Sequence, residues 1–261
     1  MSKLPKLTKN NYYDPEMNAR YMSASFVKSM IRCEAATMAE LTGEWNPPPS
    51  EALLVGSYVD ANFEGPKSFG NFYLEHPEIF NSRTGELKAP FRRANEMIER
   101  ARVDSVFMEY MRGQKQKIVT GKIDGIPFKA KFDVYRKGER IVDLKTTRNM
   151  DAMYREGEGR LNPIQYWGWD IQMAIYAELE GHDLPTYLAI ITKEDPPNLY
   201  LVEITKAERE ACMEYLHAKL PRFDAIKRGL IEPERCEKCA YCRATKRLTK
   251  PITIEELDME F

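Results

Sequence analysis

The strongest constraint on this chain is a change of period just after residue 114. "KQKIVTGKI" (115–123), Asp124-Gly125 and "IPFKAKFDVY" (126–135) alternate along two runs joined by a two-residue turn, the pattern of a β-hairpin. "RKGE" then turns the chain into "RIVDLKTT" (140–147), so a three-stranded meander is expected. A period of two puts Phe128, Ala130, Phe132 and Val134 on one face of the second strand. Lys129, Lys131, Asp133 and Tyr135 fall on the other face, and Asp143 and Lys145 share a face of the third strand. Unpaired charge is expensive in a core. The charged residues are therefore expected to converge on an open side of the meander while its other side supplies the core.

The rest of the chain reads as helices with two more strands. Residues 1–22 read as irregular. A helix is expected from an N-cap at Ser23 to Gly43, with Phe26, Met30 and Cys33 along one face. Ser50 caps a second helix ending near Gly65, residues 66–86 read as loop-rich, and 91–113 as a charged third helix. Residues 162–181 read as one helix, 185–205 as two strands, and Thr205 with Glu208 as a capping box for a long helix kinked at Pro221. The expected class is α/β (α+β), with residues 23–235 as one domain, its helical part at 23–112, and a cysteine-bearing tail at 236–261 packed on it.

A chain of 261 residues can bury a sizeable core, and 43% hydrophobic with 30% charged residues is ordinary soluble composition. With no apolar run of membrane-spanning length and no signal-like start, the expected place is the cytoplasm. A net charge of -1 gives no global field for nucleic acid, although 39 Lys and Arg can still form a local basic cleft.

Asp133, nine residues, then Asp143-Leu144-Lys145 is a set that metal-dependent phosphodiester cleavage can use. Carboxylates on neighbouring strands suit Mg²⁺ or Mn²⁺, the Leu144 carbonyl can add a ligand, and Lys145 can orient water and stabilise negative charge. The bland alternative is an exposed sheet face bearing an Asp–Lys pair. Asp60 and Glu64 form an acidic i, i+4 pair upstream that could reach the same metals. Downstream, Gln172 and Tyr176, extended by Gln165 and Trp169, make a polar and aromatic stripe suited to a wall facing a nucleic-acid strand, or to an amphipathic helix half in the core.

Together, "FDVYRKGERIVDLKTT" and "QMAIY" resemble the PD-(D/E)xK nuclease superfamily, in the branch of the RecB and AddB nuclease domains, lambda exonuclease and RecE. That branch is marked by D, then (D/E)xK, then QxxxY, matched here by Asp133, Asp143, Lys145, Gln172 and Tyr176. "LLVGSYVDANFEG" resembles its upstream glycine-containing motif, with Asp60 where many members carry a metal-binding histidine. The resemblance covers roughly residues 20–250 and is closest to phage-type exodeoxyribonuclease VIII proteins. It implies a restriction-endonuclease-like core, a central mixed β-sheet flanked by helices. It also implies Mg²⁺- or Mn²⁺-dependent hydrolysis of DNA, exonucleolytic in kind, with a single-strand annealing recombinase as the partner that takes the product. An endonuclease, or a DNA-binding protein without activity on the same scaffold, are the alternatives; the oligomeric state is open.

Cys236, Cys239 and Cys242 form a C-x2-C-x2-C run, which in a reducing compartment suggests a metal before disulfides. A fourth ligand must come from elsewhere. Cys33 is the candidate, His182 and His217 are rivals, and Cys212 reads as a small core residue. One cysteine before the core and three after it resembles the iron–sulfur nucleases of the same branch, which implies a [4Fe–4S] cluster joining the chain ends. The second gap is shorter here than in those relatives, so Zn²⁺ and a metal-free thiol cluster remain alternatives. Arg235, Lys238, Arg243, Lys246 and Arg247 around the run could bind phosphate or form a solvated face.

Overall fold

A computed structural model describes residues 6–251 and 253–255. Its centre is a five-stranded mixed sheet in the order β1-β2-β3-β6-β7. The strands are β1 (Gln114–Ile123), β2 (Ile126–Arg136), β3 (Arg140–Thr147), β6 (Thr186–Thr192) and β7 (Leu199–Ile204). The expected meander is present, closed by Asp124 and Gly125 with φ of 51° and 78°, the left-handed pair a tight hairpin requires. Strand β6 joins parallel to β3, Asp143 lying opposite Leu188 and Lys145 opposite Ile190. A small separate hairpin, β4 (Met153–Arg155) and β5 (Gly159–Leu161), sits in the crossover.

Helices cover both faces. On one side lie α2 (Ala24–Arg32), α9 (Trp169–Glu180) and α10 (Lys206–Lys227), packed with Phe128, Ala130, Phe132, Ile141, Leu188 and Ile190. On the other side, α4 (Glu51–Glu64), α6 (Ala89–Arg102) and α7 (Ser105–Tyr110) pack with Val134, Val142, Leu144, Ala189 and Ile191. The expected fold class holds, but the expected open side does not: both faces of the meander carry a core. Nor do Phe128, Ala130, Phe132 and Val134 share one packed face. The first three pack in one core and Val134 in the other. The shift falls at Asp133, where β1–β2 pairing skips the opposite residue, Gln116, whose φ is 54°.

Five helical expectations change. The helix from Ser23 to Gly43 is two, α2 and α3 (Glu34–Thr42), divided at Cys33, which is extended (φ -166°, ψ 108°) and accepts from the Ala36 N–H. Residues 162–181 also form two helices, α8 (Pro163–Trp167) and α9, divided at Gly168 with φ 63°. The charged third helix breaks before α7, which Asp104 caps. Part of the stretch read as loop is α5 (Pro66–Glu75), followed by a 3-10 turn at Pro77–Ile79. The segment read as irregular contains α1 (Pro15–Arg20), and Met22 pairs with Phe128 at the start of β2. The caps at Ser23 and Ser50, the stops at Gly43 and Gly65, and the Thr205–Glu208 capping box all form as read, and α10 runs on through Pro221. The last described helix is α11 (Ala240–Ala244), and the end of the expected tail, 256–261, lies outside the described residues.

Candidate active site

Asp143 and Lys145 lie on the face of β3 that α9 covers. Helix α4 approaches β3 where Gly56 faces Thr146, a Cβ there standing 3.5 Å from the Thr146 hydroxyl, and brings Asp60 in one turn later. Asp133 on β2 completes the group. Its Oδ2 accepts from the Leu144 N–H at 2.9 Å and its Oδ1 from Gln116 Nε2 at 3.4 Å. Asp143 is 2% exposed. Its Oδ1 accepts from Gln172 Nε2 at 2.7 Å, while Oδ2 faces the Lys145 ammonium as an ion pair and lacks a hydrogen-bond partner of good geometry.

Packing these charges together shifts their protonation. Burial, then repulsion from Asp143, pushes the Asp133 carboxyl up to about 7. Burial and then Asp133 raise Asp60 well above the carboxylate range. Burial works against the charge on Lys145, but Asp143, Asp133 and Asp60 outweigh it and raise its pKa, so it stays an ammonium. Three carboxyl groups facing one lysine cannot all ionise at once; bound protons relieve the repulsion, and a divalent cation could take their place. The donor set fits: hard carboxylate oxygens from neighbouring elements, among them the buried Asp143 carboxylate. Among the described residues, the group of His, Cys, Asp or Glu atoms that converge within 4.8 Å is the four cysteines, not these acids. A looser acidic set suits Mg²⁺, which takes one or two carboxylates and completes its shell with water and phosphate.

Gln172 and Tyr176 do reach the site, but as part of its floor. Gln172 donates to Asp143 and, at 3.0 Å, to the Tyr176 hydroxyl, which donates on to the Lys131 carbonyl at 3.1 Å. Burial and then Asp143 raise the Tyr176 pKa, keeping the phenol protonated. Of the two readings of the stripe, the helix packed in the core is the one that forms rather than a stacking wall, since Trp169 and Tyr176 are each 7% exposed, Trp169 lies in the core, and Gln165 sits beyond the break at Gly168, bonded to Asn162. Glu64 does not join the acids: it pairs with Lys9 at 2.9 Å and accepts from Ser68. Two residues absent from the sequence reading belong here, Gln116 and Lys28. Lys28 on α2 donates to Gln172 Oε1 at 2.7 Å, and burial and then Lys145 lower its pKa to about 7. Their signals in the sequence were slight: Lys28 stands one turn after a helix cap among apolar neighbours, and Gln116 is an amide in an otherwise basic strand.

The four cysteines come together as expected. Cys33, Cys236, Cys239 and Cys242 place their sulfurs within 4.8 Å of one another, with Cys33 and Cys242 at 3.5 Å. The break between α2 and α3 carries Cys33 to the run, and an Ala35 N–H bond to the Glu234 carbonyl ties the two segments. Burial opposes ionisation of Cys236, but N–H groups of Lys238 and Cys239 and neighbouring thiols outweigh it and bring its pKa down to about 7. The rival ligands are engaged elsewhere, His217 with Asp124 and His182 with Glu180, and Cys212 packs against the core. Of the basic residues around the run, read as able to bind phosphate or to form a solvated face, Arg235 is held by Glu237, Thr245 and the Cys242 carbonyl, and Lys238 pairs with Glu156.

Comparison with known proteins follows the same lines. Residues 23–245 match the model of a family described as a PDDEXK-like domain of unknown function (DUF3799). A crystal structure from Eubacterium rectale, named as a "Putative exonuclease", superposes with a TM-score of 0.91 at 40% identity, over 97% of this chain and 98% of that one. A second structure, SSO0001, gives a TM-score of 0.34 at 16% identity over 78% and 89%, too low to carry an argument. No curated protein matches. Among the described residues no helix is long and apolar enough to cross a membrane.

Proposed function

Because the chain belongs to this family of PDDEXK-like domains, DUF3799, we propose that it is a metal-dependent DNA exonuclease. One observation carries the reading: Asp143, fixed through Oδ1 by Gln172, sets Oδ2 against the Lys145 ammonium, with Asp133 and Asp60 beside them. Asp60, Asp133, Asp143 and the Leu144 carbonyl would hold Mg²⁺ or Mn²⁺, which supplies an activated water and offsets charge on the phosphate. Lys145, kept cationic by its acidic neighbours, orients that water and stabilises charge on the scissile phosphate. Tyr176 and Gln172 hold the catalytic carboxylate in place. The exonucleolytic mode is supported by the name given to the 40% identical neighbour. The setting in phage-type recombination, with a single-strand annealing protein taking the processed end, rests on the resemblance of the motifs alone.

In this reading Cys33, Cys236, Cys239 and Cys242 hold a metal centre that staples the segment before the core to the one after it. Their closeness suits one tetrahedral ion, for which Zn–S of about 2.3 Å places sulfurs about 3.8 Å apart, whereas the C-x2-C-x2-C run suits iron–sulfur ligation. Anaerobic purification separates the two: a broad visible band marks iron–sulfur, and colourless protein with one zinc per chain marks zinc.

The activity is tested on linear and closed circular duplex DNA with Mn²⁺ or Mg²⁺. Degradation of the linear form alone is the expected result. Nicking of circles would make the protein an endonuclease, and binding without cleavage would make it a silent scaffold.

A further inference from the structure

We propose that Lys28 is a positioning residue of the acidic site: it fixes the orientation of the Gln172 amide and, through that amide, the carboxylate of Asp143. Its catalytic consequence rests on the nuclease reading above. The orientation of the amide does not.

Donors and acceptors decide which way the amide lies. A lysine ammonium only donates, an ionised carboxylate only accepts, and a glutamine amide has one end of each kind. Gln172 stands between the two, with Oε1 at 2.7 Å from Lys28 Nζ and Nε2 at 2.7 Å from Asp143 Oδ1. Turning the amide over would set its NH₂ against the ammonium and its carbonyl against the carboxylate. The second amide proton is also placed, since Nε2 lies 3.0 Å from the Tyr176 hydroxyl, which in turn donates to Lys131 O. One lysine thus orders a directed chain from α2 through α9 to both catalytic strands.

The fold makes room for this lysine. Its methylene stem lies on Gly168, where an added Cβ would stand 3.1 Å from Lys28 Cδ and 3.3 Å from Cγ. The break between α8 and α9 therefore seats Lys28 as well as turning the chain. Lys145 and Asp143 from β3, Asp170 from α9 and Arg32 from its own helix surround its charge. Gln172 is the neighbour to which its ammonium hydrogen-bonds among the described residues.

The test is a double-mutant cycle on the intact protein, Lys28→Met and Gln172→Leu, singly and together, read in two ways. The first is kcat and KM on linear duplex DNA. Lys28→Met is expected to lower kcat about 10–100-fold, as loss of a partner behind a ligating carboxylate does, with KM little changed. In the Gln172→Leu background the same substitution should add less than about twofold. The second is the Gln172 side-chain amide pair in ¹⁵N–¹H spectra, identified by its loss in Gln172→Leu. Its protons should exchange with solvent about tenfold faster in Lys28→Met. An equal loss of kcat in both backgrounds, or an amide pair unchanged by Lys28→Met, overturns the proposal. A wild-type protein that cleaves no DNA while the amide pair responds as stated overturns the nuclease reading instead. Should Lys28→Met fail to fold, Lys28→Leu, which likewise removes the donor, takes its place with the same expectations.

Discussion

Asp133 holds its proton far above the ordinary carboxylate range because burial and Asp143 both disfavour its charge. Between the unfolded value near 4 and the folded value of about 7, the native state binds more protons than the unfolded chain. Stability from this group is therefore full below about pH 4 and is lost as pH rises through 7. Metal-free Asp133→Asn should accordingly equal wild type in thermal midpoint near pH 4 and exceed it near pH 8, as a pH series of melts would show. Lys145→Ala should leave the fold intact and lower cleavage about 10²–10⁴-fold, measured as initial rate at saturating Mn²⁺. Asp133, Asp143, Lys145, Gln172 and Tyr176 were visible in the sequence through fixed spacing. Lys28 and Gln116 were not, because each reaches the site through a tertiary neighbour, and a lysine on an amphipathic helix looks the same whether it meets solvent or a glutamine.

Both candidate centres depend on interruptions of helices. Apolar spacing runs unbroken through Cys33 and through Gly168, so pattern alone joined the helices on either side. The first break presents the Cys33 sulfur to the C-terminal run and the second seats Lys28. Gly168→Ala combines a left-handed backbone with a crowded Cβ. It should cost about 1–2 kcal/mol for the backbone alone, read by urea unfolding, and should reduce cleavage beyond what the stability loss explains. Thr205→Ala removes the capping box of α10, far from the acids. It should cost about 1 kcal/mol with no change in kcat. The hairpin and the caps were legible because turn and cap chemistry is local; the shift of β2 at Asp133 was not, since it depends on Gln116 across the ladder.

For the whole molecule, the sheet is buried on both faces, and the acids sit where β2, β3, α4 and α9 meet inside it. The sequence alternation suggested one open side because charge at every second position usually means solvent. Here it means a buried site with its own hydrogen bonds. A metal joining residue 33 to residues 236–242 would close a very long loop, so the proposed cross-link would limit the unfolded state strongly. Stripping the thiolate centre, or Cys33→Ser, should lower the thermal midpoint by about 5–10 °C while Asp143→Asn leaves it near wild type or higher. In the proposed function Asp143, with Asp133 and Lys145, hydrolyses DNA with a divalent cation. Release of acid-soluble nucleotide from linear duplex DNA tests it, comparing wild type and Asp143→Asn with Mn²⁺ or with EDTA. The account predicts release by wild type with Mn²⁺ and background in the other three reactions. Release that persists in EDTA, or in Asp143→Asn, would contradict it.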